Sequence, residues 1–205
     1  MFIFCLVHWN GRKQVLAVVT LMAFLASAVL VYLSNLAFNH VLAPHQQERI
    51  LVWLKPNEAD PQGAAYNLNH SKMAIGSGGL TGKGFLKGSL TQGNFVPEQS
   101  TDFIFCAVGE EQGFIGVLVV IGLYLALLAR ILIIGERHRL DFVRVYAYSI
   151  AGILFVHFFI NIGMTMGLLP TIGIPLPFLS RGGSSLLVFT VMLAVLLRFE
   201  AENLR

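Results

Sequence analysis

Two long apolar stretches of the chain have the length and composition of membrane spans. Residues 14–36 contain no charged side chain, and residues 113–134 contain a single one, Arg130, near the end of the stretch. A helix needs about 20 mainly apolar residues to cross the hydrocarbon core of a bilayer. Both stretches therefore predict transmembrane helices.

A third apolar stretch, 145–180, contains no Asp, Glu, Lys or Arg and is too long for one simple span. Prolines interrupt its second half, and a proline removes a helical hydrogen bond. We predict a helix over 145–168, an irregular segment over 169–183, called the Pro/Gly segment below, and a short last span over 182–198. The interrupting residues are Pro170, Pro175 and Pro177.

This pattern predicts an all-α polytopic membrane protein with about four transmembrane helices and a re-entrant or irregular Pro/Gly segment. A large polar loop over 38–102 separates the first two spans, and residues 1–205 are expected to form a single membrane domain. Composition agrees, because 56% of the residues are hydrophobic, 12% are charged and the mean hydropathy is +0.72. Soluble proteins average about 25% charged residues.

Basic residues near the short connections predict the orientation, because cytoplasmic loops are enriched in Lys and Arg. We expect both chain ends to be cytoplasmic, in a bacterial inner membrane, and the 38–102 loop and the Pro/Gly segment to be extracytoplasmic. The net charge of +3 is spread along the chain, which argues against a nucleic-acid partner. The residues that decide the orientation are Arg12, Lys13, Arg130, Arg137, Arg139, Arg144, Arg198 and Arg205.

The apolar residues 1–9 precede Asn10 and a basic pair without a small-residue cleavage site, so they do not resemble a signal peptide. We interpret them as the tail of an earlier membrane helix, which would make this chain the later part of a larger protein. Cys5 and Cys106 lie in or beside apolar sequence and predict neither a disulfide nor a metal site.

The polar loop contains two features of interest. Residues 41–54 have the pattern of an amphipathic interfacial helix, which Pro56 would end. Residues 74–84, the glycine-rich segment, contain five glycines and Lys83. Such a segment is either a plain turn or a cradle for a phosphate, to which Lys72, Lys87 and Arg49 could add charge. Lys83 is followed by Gly84, so the spacing is not that of a P-loop.

Asp102 lies where hydrophobic sequence resumes after the loop. Thr101 or Asp102 could cap the following helix, or Asp102 could act as a general base whose pKa is raised by partial burial. Glu110 and Glu111 lie further along the same helix, where an ionised carboxylate needs a polar cavity, a cationic partner or the interface.

Backbone without helical hydrogen bonds is tolerated at membrane depth only inside protein or beside water. The Pro/Gly segment is therefore predicted to form a cavity wall. Arg181 within it is either an interfacial anchor or an anion contact. His157 and Asn161 are predicted to be hydrogen-bond partners between helices rather than metal ligands.

A series of motifs over about residues 46–197 closely resembles the SEDS family (shape, elongation, division and sporulation) of cell-wall polymerases. The motifs are Asp60-Pro61-Gln62-Gly63, Ala74-Ile75-Gly76-Ser77-Gly78-Gly79, Phe95-Val96-Pro97-Glu98, Thr101-Asp102-Phe103-Ile104-Phe105, Glu110-Glu111-Gln112-Gly113, Gly173-Ile174-Pro175-Leu176-Pro177 and Ser180-Arg181-Gly182-Gly183-Ser184-Ser185. Within the family, Ser71–Ile75 and Gly82–Gly84 look more like the RodA branch than the FtsW branch. The chain resembles only the C-terminal half of these proteins, which have about ten spans.

The resemblance implies a peptidoglycan glycosyltransferase that polymerises lipid II for cell elongation and works with a class B penicillin-binding protein. The essential acidic residue of the family maps onto Asp102, as the base that deprotonates the acceptor sugar. We further assign Lys72, Lys83 and Arg181 to the leaving pyrophosphate, and we include Ser180, Glu98 and Glu111 of the matching motifs as substrate-binding residues.

The resemblance is incomplete at two positions, and two other functions stay open. Leu90 stands where RodA-like proteins commonly have an amide, and Arg181 replaces a frequent tyrosine. The chain could instead be a lipid II flippase, or a scaffold without catalytic activity, because a fragment could be inactive alone. No cofactor is assigned, and a divalent cation at the pyrophosphate stays an open alternative.

Overall fold

The structure is a computed structural model that describes residues 11–55, 63–93 and 95–203. All regular elements in these ranges are helices, which confirms the all-α fold class. The predicted tail of an earlier helix at residues 1–9, Cys5, Pro56 and the Asp60 motif up to Gln62 lie outside the described residues. The helices are α1 (Gly11–His40), α2 (Pro44–Leu54), α3 (Ala64–Ser77), α4 (Ser89–Gln92), α5 (Ile104–Arg137), α6 (Asp141–Met166) and α7 (Gly183–Asn203).

Four of the described helices are long and apolar enough to cross a membrane. Together with the composition, they identify an integral membrane protein. The sequence placed the start of the second span at residue 113, whereas α5 begins at Ile104. The spans are Val18–His40, Ile104–Arg137, Asp141–Met166 and Gly183–Glu202.

The chain divides into two compact units, Met1–Gln47 and Glu48–Arg205. In the first, α1 leads into a tight turn that the Gln47 side chain closes by donating to the carbonyls of Phe38 (2.9 Å) and Leu42 (3.0 Å). Helix α2 follows this turn within the stretch predicted to be amphipathic, and Val52 is its buried residue.

The core of the second unit lies between α5, α6 and α7. A connection of three residues joins α5 to α6, so the two helices pack as antiparallel neighbours. Gly135 allows a close approach, because a Cβ there would lie 2.9 Å from the Ala147 side chain. The buried apolar residues of this core include Leu128, Ile131, Ile134, Val143, Ala147, Ile150, Leu154, Phe189 and Leu196.

Helix α6 ends at Met166 because Gly167 adopts a left-handed conformation (φ 77°). The predicted span continued to residue 168. Beyond this glycine the backbone is irregular until α7 begins at Gly183, which is the region of the Pro/Gly segment. The buried Tyr124 hydroxyl of α5 donates to the carbonyl of Pro177 and so attaches this segment to the helices.

Gly113 breaks α5 into two parts. Its φ of 67° and ψ of −164° are not helical. An unbroken helix of 34 residues would be about 51 Å long, well beyond the hydrocarbon thickness of about 30 Å. The second part, 114–137, has the length of a single span.

The glycine-rich segment fills this break. Lys83 and Gly84 donate their N–H groups to the carbonyls of Glu110 (3.0 Å) and Glu111 (2.9 Å), which have lost their helical partners. On the other side of the break, the N–H groups of Phe114 and Ile115 bond the carbonyls of Gly79 (2.9 Å) and Leu80 (3.1 Å). The segment therefore satisfies the backbone groups that the break exposes.

Candidate functional site

Asp102 lies in a turn directly before α5, and the turn is organised by Glu98. Glu98 has a positive φ of 52°, which is uncommon for a residue with a side chain. Its carbonyl accepts the N–H groups of Thr101 (3.2 Å), Asp102 (3.0 Å) and Phe103 (3.3 Å). The predicted substrate contact at Glu98 is thus also the centre of the turn that carries the proposed base.

The helix-capping interpretation of Asp102 and Thr101 is wrong. The N-cap of α5 is Phe103, and no described side chain caps this end of the helix. The Thr101 hydroxyl instead donates to the carbonyl and the carboxylate of Glu98, at 3.2 Å each. The half-buried Asp102 carboxylate is therefore not used by the helix end.

The Pro/Gly segment supports the Asp102 turn from a second side. The Arg181 N–H donates to the carbonyl of Ser100 (2.7 Å), and the Ser180 hydroxyl donates to the carbonyl of Thr101 (2.5 Å). Ser180 also accepts the N–H of Leu176 (2.8 Å) and is buried. Ser180, predicted to bind substrate, is placed as a support of the turn, and the Arg181 side chain is exposed beside it.

Gly173 leaves space next to the carboxylate. A Cβ at Gly173 would lie 3.0 Å from Oδ2 of Asp102, and the φ of 81° also disfavours a side chain there. The neighbouring Ile172 carbonyl accepts a hydrogen bond from Arg49 Nη1 (3.1 Å). The Arg49 guanidinium and the exposed, closely packed backbone of Gly173 therefore lie on one side of the Asp102 carboxylate.

Burial raises the pKa of the Asp102 carboxyl above its ordinary value. The Thr101 hydroxyl opposes this change, the negative charge of Glu98 adds to it, and the Arg49 guanidinium opposes it again. The net result is a carboxylate that binds a proton more readily than a solvated aspartate. A stronger base is what proton abstraction from a sugar hydroxyl requires.

A second carboxylate, Glu110, is fully buried at the break in α5. It accepts from Lys83 Nζ (2.7 Å) and from the N–H groups of Leu90 (3.0 Å) and Thr91 (2.9 Å) at the start of α4. The sequence left three environments open for this carboxylate: a polar cavity, a cationic partner or the interface. Glu110 has the cationic partner. The sequence assignment chose Glu111 for substrate, but the described contact of Glu111 is made by its backbone carbonyl to Gly84.

The glycine-rich segment packs against protein and is not arranged as an anion cradle. The N–H groups of Gly82, Lys83 and Gly84 donate to the carbonyls of Gly78, Glu110 and Glu111, so these three donors are occupied. A Cβ at Gly82 would lie 2.1 Å from the Glu111 carbonyl oxygen. Close packing at the break explains why glycine is needed there.

Two of the three predicted leaving-group cations have other neighbours. Lys83 pairs with Glu110. The end of the Lys72 side chain covers Gly167, since a Cβ there would lie 2.5 Å from Nζ. An ammonium near a helix C-terminus is favourable, which gives Lys72 a structural role at the end of α6.

His157 and Asn161 form hydrogen bonds, but the prediction that these bonds join two helices is wrong, because their partners are backbone carbonyls outside the helices. His157 Nδ1 lies 3.3 Å from the Pro175 carbonyl oxygen. Asn161 Nδ2 donates to the carbonyls of Asp102 (2.9 Å) and Ile174 (2.7 Å). Their partners lie in the irregular segments and not in a neighbouring helix.

Nearly the whole chain matches a known family. A family model for FtsW, RodA and SpoVE, described as "Cell cycle protein", matches residues 1–204. The chain belongs to this family. The resemblance to SEDS proteins that the motifs indicated is thereby confirmed.

Individual relatives agree with this assignment. The peptidoglycan glycosyltransferase MrdB of Escherichia coli K12 is 45% identical over 159 residues, which are 78% of this chain and 43% of MrdB. A probable peptidoglycan glycosyltransferase FtsW of Burkholderia thailandensis is 47% identical over 167 residues, 79% of this chain and 36% of that protein.

A solved structure shares the fold. It is described as "Structural coordination of polymerization and crosslinking by a peptidoglycan synthase complex". The match has a TM-score of 0.63 and 29% identity, and it covers 94% of this chain and 49% of that one. The chain spans less than half the length of each of these three proteins.

Proposed function

We propose that this chain carries the catalytic base of a peptidoglycan glycosyltransferase that polymerises lipid II during cell elongation. The main observation behind the proposal is the Asp102 carboxylate, which is half-buried, has a raised pKa and lies beside the exposed Gly173. The names of the relatives and the RodA-like motifs support the same activity. The site would face the outside of the cytoplasmic membrane, where lipid II is polymerised.

In the proposed reaction, the ionised Asp102 takes the proton of the acceptor sugar hydroxyl. The hydroxyl oxygen then forms a bond to the anomeric carbon of the donor sugar. The bond from that carbon to the pyrophosphate breaks, and its electron pair leaves with undecaprenyl pyrophosphate. The proton on Asp102 passes to solvent before the next cycle.

Negative charge on the leaving pyrophosphate requires cationic help, which often supplies the largest part of catalysis. We assign this role to Arg181 and add Arg49, because both lie beside the Asp102 turn. Lys83 and Lys72 are better explained by Glu110 and by the end of α6. Glu98 would adjust the pKa of Asp102, and Ser180 would hold its turn.

The proposed partners are lipid II, membrane lipids and a class B penicillin-binding protein that cross-links the glycan. The similar solved structure is that of a synthase complex in which polymerization and crosslinking are coordinated. The proposed activity is that of the full-length gene product together with such a partner.

The ionisable groups near the spans support a flippase less well than they support a glycosyltransferase. A translocation path needs ionisable groups that face a water-filled route within the spans. Glu110, a fully buried carboxylate in a candidate span, is instead neutralised by Lys83 and bound by backbone N–H groups. The chemistry of Asp102 lies outside the spans.

Vesicles containing the full-length gene product, a class B penicillin-binding protein and purified lipid II separate the three functions. We expect glycan polymer and free undecaprenyl pyrophosphate to form. Movement of lipid II between leaflets without polymer would indicate a flippase. Neither product, or polymer only from an added partner enzyme, would indicate a scaffold, and each of these results would contradict the proposal.

A further inference from the structure

Consecutive carbonyls of the Asp102 turn are each bound by a donor from the C-terminal part of the chain. Ser100 accepts from the Arg181 N–H, Thr101 from Ser180, and Asp102 from Asn161, at 2.7, 2.5 and 2.9 Å. Together with the bonds to the Glu98 carbonyl, these contacts fix both the N–H and the C=O groups around Asp102.

We propose that Asn161 is a positioning residue for Asp102. The inference rests on the proposed function, because the orientation of a carboxylate matters to catalysis only if that carboxylate is the base. Asn161 is fully buried within α6, a candidate span, and its Nδ2 bonds both Asp102 and Ile174, at 2.9 and 2.7 Å. One amide group thus links the base to the residue next to Gly173.

Asn161 acts at this site through the donor nitrogen of its amide and not through the oxygen. Both protons of Nδ2 have carbonyl acceptors, while the buried Oδ1 has no partner among the described residues. An unsatisfied buried polar atom lowers the stability of the folded protein. A buried amide with this cost is explained if its two donated bonds are required at the site.

The link sets the distance between the Asp102 carboxylate and the backbone of Gly173. Asp102 Oδ2 would lie 3.0 Å from a Cβ at Gly173, and Ile174 directly follows this glycine. Without the Asn161 bridge, the Gly173 part of the segment can shift relative to the Asp102 carboxylate, while the bonds from Ser180 and Arg181 still hold the rest of the segment to the turn. A misplacement of about 1 Å in an active site can cost roughly 100-fold in rate.

Tyr124 provides a matched control. Its hydroxyl also anchors the Pro/Gly segment, through the carbonyl of Pro177, and it is also buried in a long helix. It makes no described contact with the Asp102 turn. Tyr124→Phe therefore tests the anchoring of the segment, whereas Asn161→Leu tests the anchoring together with the link to Asp102.

The experiment measures lipid II polymerisation by the full-length gene product in vesicles, for each substitution alone and combined with Asp102→Asn. We expect Asn161→Leu to lower kcat by about 10–100-fold with KM changed by less than about 3-fold. Tyr124→Phe should change kcat by less than about 3-fold. In the Asp102→Asn background, Asn161→Leu should have no further effect, because the group that it positions has been removed.

Equal losses for Asn161→Leu and Tyr124→Phe, or a further loss in the Asp102→Asn background, would show a purely structural role and overturn the inference. Asn161→Ala also removes the donors and introduces no larger group, so it replaces the leucine variant if that variant does not fold. Full activity of either Asn161 variant would also overturn the inference. An active Asp102→Asn protein would instead overturn the proposed function.

Discussion

Replacing Asp102 with asparagine is expected to lower the rate of lipid II polymerisation by about 10²–10⁴-fold, the usual contribution of a general base. Asparagine has the same shape as aspartate and cannot accept the proton of the acceptor sugar. The turn itself should persist, because the hydrogen bonds that hold Asp102 to Glu98 and Asn161 are made by its backbone N–H and C=O groups. The loss should therefore appear in kcat with the protein still folded.

Two further variants test whether the loss of rate comes from the missing base. Asp102→Glu keeps the base but displaces it, so it should retain more activity than Asp102→Asn. Asp141→Asn changes an exposed carboxylate that pairs with Arg144 at the start of α6, and it should leave the rate unchanged. Polymerisation at the normal rate by the Asp102→Asn protein would exclude Asp102 as the base.

Replacing Glu110 with alanine is expected to have the largest effect on stability. The change removes a fully buried carboxylate that accepts from Lys83 and from the N–H groups of Leu90 and Thr91. Removing one partner of a buried ion pair costs about 3–5 kcal/mol. For a chain of this size, the midpoint of thermal unfolding in detergent should fall by roughly 6–20 °C.

Variants of Glu111 and Lys83 show whether the loss of stability comes from the buried contact of Glu110 or from the loss of any charge in this region. Glu111→Ala removes the adjacent carboxylate, whose residue contacts Gly84 only through its backbone among the described contacts, and it should lower the midpoint much less. Lys83→Ala should lie between the two, because the Lys83 side chain is 30% exposed and the backbone donors to Glu110 remain. Equal midpoints for the Glu110 and Glu111 variants would contradict the proposed role of the ion pair.

The sequence was sufficient for the fold class because long apolar stretches have few alternatives in a membrane. Residues 14–36 and 113–134 lie within helices α1 and α5, and the prolines after residue 169 lie where the backbone is irregular. The helix ends were less predictable. Helix α6 stops at Gly167, and its end is set by a single left-handed residue that an apolar pattern does not indicate.

The role of the glycine-rich segment could not be predicted, because it depends on a distant break in a helix. Gly113 stands at the start of a long apolar run that predicts a continuous helix, and the sequence pattern did not predict its positive φ of 67°. Only the structure brings the carbonyls of Glu110 and Glu111 to the N–H groups of Lys83 and Gly84. The same long-range contact decides that Glu110, and not Glu111, has the buried partner.

For the candidate site, motif resemblance and the position of Asp102 at the end of the polar loop led to the residue that the geometry favours as base. Its environment was less visible in the sequence. Arg49 precedes Ile172 by more than a hundred positions, yet the two are hydrogen-bonded beside Asp102. Asn161 was expected to bond between helices, and its link to the Asp102 turn required the fold.

The most direct test of Asp102 as the base is the pH dependence of kcat/KM for the wild-type protein and for Glu98→Gln at low ionic strength. If Asp102 must be ionised to act, activity falls as the pH drops through its raised pKa. Glu98 raises that pKa, so Glu98→Gln should move the acidic limb of the profile to lower pH. An acidic limb that stays in place or moves to higher pH would contradict the assignment of Asp102 as the base.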